Sequence, residues 1–132
     1  MTRSFGEDMD NPDIDHALRL RLRLRLRWRR LVEDELPGVA AARRWPVRLD
    51  HCFARILLDA ACGAPWRTVI GAPAWRNAPR AILTTAIALG EACLAGDADL
   101  AALNRKSLAM RRAAKSGELA GASRDLFSEE AD

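Results

Sequence analysis

Leu49, Cys52, Phe53, Ile56, Leu57 and Ala60 recur at i, i+3, i+4, i+7, i+8 and i+11, the stripe of a packed α-helix. Asp50 is a candidate N-cap for this segment, and Gly63 supplies its stop. A second helical segment spans about 80–95, with Ile82, Leu83, Ala86, Ile87, Gly90, Cys93 and Leu94 on one face. Gly96 follows it as a left-handed terminator, and Asp97 is placed to cap the next helix. That helix spans about 98–115, with Leu100, Leu103 and Met110 as core positions. Lys106, Arg111, Arg112 and Lys115 crowd its C-terminal half, where the helix dipole favours cations.

No segment alternates Val, Ile and Thr in the manner of a strand, and Ala and Leu dominate the apolar residues. The expectation is an all-α fold: a small bundle of three main helices, about 50–62, 80–95 and 98–115, with a basic N-terminal helix or arm. The connections carry their own signals. Pro46 forces Trp45 into an extended conformation. Pro65 introduces a short helix over Trp66–Ile70, and 71–79 is a loop with two prolines, pinned to the core by the large Trp66 and Trp75 side chains.

The basic arm, 16–36, is the oddest stretch. Leu18, Leu20, Leu22, Leu24, Leu26 and Trp28 alternate with Arg19, Arg21, Arg23, Arg25, Arg27 and Arg29. A period of two fits a strand, whereas both residue types are strong helix formers. Because Arg29–Leu36 continues without a break to Pro37-Gly38, a helix ending there is expected, with the arginines in two broad stripes. A short expanded repeat with no role for each unit would look the same.

Charge divides the chain into three parts. Residues 1–15 and 117–132 each carry five acids and one base, and are expected as acidic disordered termini. The remaining 16–116, a single helical domain that includes the arm, holds 19 bases against 8 acids, a net +11. Such density favours an anionic partner. The first fifteen residues contain no apolar stretch, so no secretory signal is expected, and no run is long enough to span a membrane. The cysteines, Cys52, Cys62 and Cys93, are odd in number and widely spaced, which suits a reducing cytoplasm and argues against disulfides. No Cys/His cluster suggests zinc, so neither metal nor cofactor is expected.

Three constellations could carry chemistry. His51, Arg55 and Asp59 lie at i, i+4 and i+8 on one helix face. They are weak catalytic candidates, with a structural polar cluster under the tryptophan loops as the favoured alternative. Asn104, Ser107 and Arg111 lie at i, i+3 and i+7, a polar cluster suited either to phosphate oxygens and base edges or to satisfying loop backbone. Finally, Arg19, Arg21, Arg23, Arg25, Arg27, Arg29 and Arg30 form an acid-free run, which Arg105, Lys106, Arg111 and Arg112 extend as anion-binding candidates. The same arm could lie on an anionic membrane surface with Trp28 at the interface. Trp66, Trp75 and Asn77 could together form a loop pocket for a protein partner.

Trp45-Pro46-Val47-Arg48, Asp50–Ile56, Pro73-Ala74-Trp75-Arg76-Asn77 and Asp99–Leu108 together resemble a family of short, mostly alphaproteobacterial proteins labelled GCN5-related N-acetyltransferase. The resemblance covers about 43–112. It implies a mixed α/β fold and acetyl-CoA as substrate. The strand–helix turn [RQ]-x-x-G-x-[GA] that cradles the pyrophosphate in such enzymes does not occur here, so no acetyltransferase residue is carried over.

The leading expectation is a small basic helical binding or accessory protein that engages an anionic partner, nucleic acid before others. An acyltransferase-type enzyme, as the family label implies, and a protein–protein adaptor are the alternatives.

Overall fold

The computed structural model of the chain describes residues 12–123, with the side chains of 13–117. Among them the secondary structure is entirely helical. Helix α1 is Pro12–Arg30, and it runs through a π-helical turn, Leu31–Glu35, into α2, Leu36–Ala40. After an irregular connection come α3, Asp50–Cys62; a 3-10 turn, Trp66–Thr68; the short α4, Ala74–Asn77; α5, Arg80–Ala95; and α6, Leu100–Ser123. The mixed α/β fold implied by the acetyltransferase resemblance is therefore not formed by these residues.

The three main helices fall where periodicity places them, and α6 runs on past Lys115 to Ser123. Residues 12–15 and 117–123, expected in disordered termini, are helical; the rest of both expected termini lies outside the described residues. Gly63 (φ 69°) and Gly96 (φ 85°) terminate α3 and α5 in the left-handed conformation. Asp50 is not the N-cap. Leu49 holds that position, and Asp50 is the first helical residue, its carboxylate accepting the His51 N–H. Asp97 likewise gives way to Asp99, whose carboxylate accepts the Ala102 N–H at 3.2 Å.

Pro37-Gly38 does not end the first element. Proline removes a donor and its ring crowds the carbonyl four residues back, which normally breaks a helix. Here the turn before it is widened: the Leu36 N–H bonds Leu31 O, five residues back, so the ladder is already displaced when Pro37 arrives. The chain then continues helically to Ala40.

The period of two in the arm resolves through helix geometry. Steps of 100° per residue send successive leucines to opposite sides of α1. Leu24 and Trp28 face the core, followed by Leu31, Val32, Leu36 and Ala40, whereas Leu18, Leu22 and Leu26 face outward. Trp28 is 4% exposed, which removes it from any membrane interface.

The core lies around α3, which packs against α5 on one side and α6 on another and also meets the π turn. Phe53, Ile56, Leu57 and Leu58 of α3 meet Leu83, Ala86, Ile87 and Cys93 of α5 and Leu100 of α6 in one apolar cluster. Trp45, just before Pro46, packs edge-on against Phe53 with ring centroids 5.8 Å apart. Arg43 closes the end of α5, donating to Cys93 O (2.9 Å) and Leu94 O (2.6 Å).

All three cysteines are free. Cys93 is buried, and burial pushes its thiol up to about 11. A thiolate-directed reagent at about pH 8 should label native Cys93 far more slowly than the half-buried Cys52 and Cys62. Mass-spectrometric timing of alkylation checks this, and equal rates would show that α5 opens readily.

Candidate anion-binding site

The α3–α6 contact is apolar along part of its length and polar along the rest. Asp59 sits in the last turn of α3, where the helix dipole disfavours a carboxylate, and its side chain is fully buried. Four donors offset that position. Ser107 Oγ donates to Oδ2 at 2.6 Å, Arg111 donates through Nε to Oδ2 (2.7 Å) and through Nη2 to Oδ1 (3.0 Å), and the Trp66 N–H donates to Oδ1 (2.9 Å). The Asp59 main-chain carbonyl meanwhile accepts the Gly63 N–H, closing the helix end. One residue thus ties together the end of α3, the 3-10 turn and α6.

Arg55, one turn earlier on α3, donates to Ser107 Oγ at 2.7 Å and to Asn104 Oδ1 at 2.8 Å. The Ser107 hydroxyl accepts from Arg55 and passes its own proton towards Asp59. Arg55 thus reaches the Asp59 carboxylate only through the Ser107 hydroxyl, whereas Arg111 contacts it directly. The Arg111 guanidinium, held by its hydrogen bonds to Asp59, has its pKa raised further, with burial acting in the opposite sense. No buried side-chain nitrogen or oxygen among the described residues lacks a partner.

Above this network lies a surface pocket of about 330 Å³ lined by His51, Ala54, Arg55, Trp66, Arg67 and Arg111. The Arg67 guanidinium lies over the Trp66 ring, 5.2 Å from its centroid. His51 is at the exposed rim, its Nδ1 3.5 Å from Asp50 Oδ1. The lining combines three guanidiniums, an imidazole and an indole face, with no nucleophile or carboxylate in the wall. With Asp59 beneath it the site keeps a positive excess. Among the described residues no cluster of His, Cys, Asp and Glu gathers for a metal.

The two polar constellations of the sequence are therefore one. Arg55 and Asp59 meet Asn104, Ser107 and Arg111 across the helix interface, while His51 stands outside that network. The bonds run between helices, not from α6 to the 71–79 loop. Sequence reasoning missed Arg67 as a lining residue. It did contain one usable signal: Asp59 follows Ile56-Leu57-Leu58 directly, and an acid in an apolar run needs a buried cation.

No protein-family model, curated protein or solved structure matches this chain.

The arm arginines are placed differently from a free basic tail. Arg19 pairs with Asp15 (2.8 Å) and Arg29 with Glu33 (3.2 Å). Arg21 donates to Arg76 O at 2.7 Å, and Arg25 stacks over Trp75, 3.7 Å from the ring centroid. Arg27 bridges Glu35 (2.7 Å) and Glu91 (2.9 Å). Its hydrogen bond holds the Glu35 carboxyl below the usual glutamate range. Arg23 and Arg30 sit with Leu26 along a second hollow of about 440 Å³ beside the π turn. Arg105, Lys106 and Arg112 are exposed on α6. Trp66 lines the pocket over the Asp59 network, whereas Trp75 lies under Arg25, and Asn77 donates to Gly71 O within its own loop at 3.2 Å.

Proposed function

We propose that the protein binds nucleic acid through the α3–α6 face, with a backbone phosphate held in the pocket of Arg55, Arg67 and Arg111. The observation that supports this is the three-guanidinium pocket over a single buried carboxylate, with Trp66 in its wall. Exposed Arg105, Lys106 and Arg112, farther round the same helix, add to its positive field. The arm contributes less than its composition suggests, since most of its arginines already have partners within the fold. No base-reading geometry is involved, so the binding is to backbone and is sequence-tolerant.

Fluorescence anisotropy with labelled single- and double-stranded DNA and RNA across a salt series tests the reading. Removing residues 1–30 would strip buried Trp28 from the core, so point substitutions are the better instrument. Arg67→Gln leaves the Asp59 network intact. It is expected to weaken binding roughly threefold to tenfold for every sequence and to flatten the log–log salt slope by about one. Arg23→Gln on the arm should change both by much less. Absence of binding to all four probes at about 0.05 M salt overturns the proposal.

A further inference from the structure

Ile14, Leu18, Leu22 and Leu26 follow one another at four-residue spacing along the outward side of α1, and they are 56%, 60%, 55% and 64% exposed. Scattered apolar residues on a surface need no explanation, but four large ones, each four residues after the last, form a slowly turning apolar strip about 18 Å long. The 100° step that sets these side chains outward sets arginines on both flanks, Arg19, Arg23 and Arg30 on one and Arg21 and Arg25 on the other.

From this face we infer a peripheral membrane-docking site: α1 lies flat on an anionic bilayer, with Leu18, Leu22 and Leu26 in the acyl boundary and the exposed Arg23 and Arg30 on lipid phosphates. Charge and shape both select this occupant. A second copy of the face would set arginine flanks against arginine flanks. Nucleic acid complements the arginines and leaves the leucines unmatched. An acidic amphipathic helix would match both chemically, but it needs a narrow seam with alternating three- and four-residue steps. Four-residue steps throughout make the apolar positions drift about 40° each time, so they open into a fan of roughly 120°. A flat surface accepts such a fan, and arginine stems can extend along its edges to keep their heads at the phosphates. Asp15 and Glu33, paired to Arg19 and Arg29, bracket Leu18, Leu22 and Leu26 and confine the contact to the turns between them. No helix among the described residues is long and apolar enough to cross a membrane, so the contact is on the surface.

The site is separate from the α3–α6 pocket and does not depend on nucleic-acid binding. Co-sedimentation of the full chain with phosphatidylcholine vesicles, with and without about 30% phosphatidylglycerol, is the test. The expected result is sedimentation with the anionic vesicles only, reduced at least about tenfold by Leu18→Ser/Leu22→Ser/Leu26→Ser and severalfold by Arg23→Gln/Arg30→Gln. All of these side chains are outward, and unchanged thermal melting checks that the variants fold. Three outcomes overturn the inference: no sedimentation with anionic vesicles at low salt, equal sedimentation of the triple leucine variant, or a leucine-dependent dimer in solution that does not bind vesicles.

Discussion

Asp59→Asn is expected to destabilise the chain by about 2–4 kcal/mol and to lower its melting temperature by on the order of 10 °C. The carboxylate is fully buried and receives four hydrogen bonds, two of them from one guanidinium. Asparagine keeps the shape but turns one acceptor into a donor, which then confronts Arg111 or Ser107, and the charge that pairs with Arg111 is gone. Charge-assisted hydrogen bonds are worth about 1.5–3 kcal/mol each, but the Arg111 side chain is 36% exposed and can turn to water, so the loss stays below their sum. Arg111→Met should cost at least as much, because it leaves the buried carboxylate ionised with only the Ser107 hydroxyl and the Trp66 N–H. In a double-mutant cycle the two substitutions should couple by about 1–3 kcal/mol. Denaturation followed by circular dichroism measures all three variants. An Asp59→Asn protein that melts with the wild type would show that the network is dispensable to the fold.

What the sequence could reveal follows the range of the interactions involved. The helices at 50–62 and 80–95 were legible because their signals are local: an apolar stripe at helical spacing and a glycine just beyond. The end of α1 was not, because the proline that normally stops a helix is absorbed by the π turn at Leu31–Glu35, a change of backbone register with no residue signature of its own. In the arm, composition identified a helix but not which leucines face in. That division needs the direction of the core, which Trp28, Leu31 and Leu36 reveal only when packed. The site was half legible. Each of its two halves stood out at helical spacing, yet the crossing that brings Asp59 to Ser107 and Arg111, 48 and 52 residues away, is tertiary. The arm's arginines suggested an anion-binding surface by number alone, whereas intramolecular partners such as Glu91 and the Trp75 ring are visible only in the fold.

Gly90→Val is expected to destabilise by about 3 kcal/mol or more, and Gly90→Ala by about 1–2 kcal/mol, against the usual direction of a glycine-to-alanine change in a helix. Alanine in the middle of α5 would ordinarily add about 0.5–1 kcal/mol of stability. At this position a Cβ would lie 2.5 Å from Leu31 Cδ2, 3.0 Å from Leu57 Cδ1 and 3.1 Å from Leu31 Cγ. A methyl tip alone could rotate away, but the Cγ contact requires the whole Leu31 side chain to move, and both leucines are fully buried with no space to receive the shift. Overpacking of this kind costs about 1–3 kcal/mol, which exceeds the propensity gain, and the branched valine adds two more methyl groups to the same gap. The contact is where the π turn rests on α5 and α3, so glycine here sets how closely the first helix approaches the bundle. A compensating change should make this visible. Leu31→Ala alone opens a cavity and costs about 2–5 kcal/mol, whereas in the Gly90→Ala background part of that cavity is filled, and the double variant should be more stable than the sum of the two losses predicts. Urea unfolding of the four proteins measures the coupling. A Gly90→Ala protein more stable than the wild type would mean that the Leu31 seam yields, and that α1 is held by its ion pair to Glu91 rather than by close packing at this glycine.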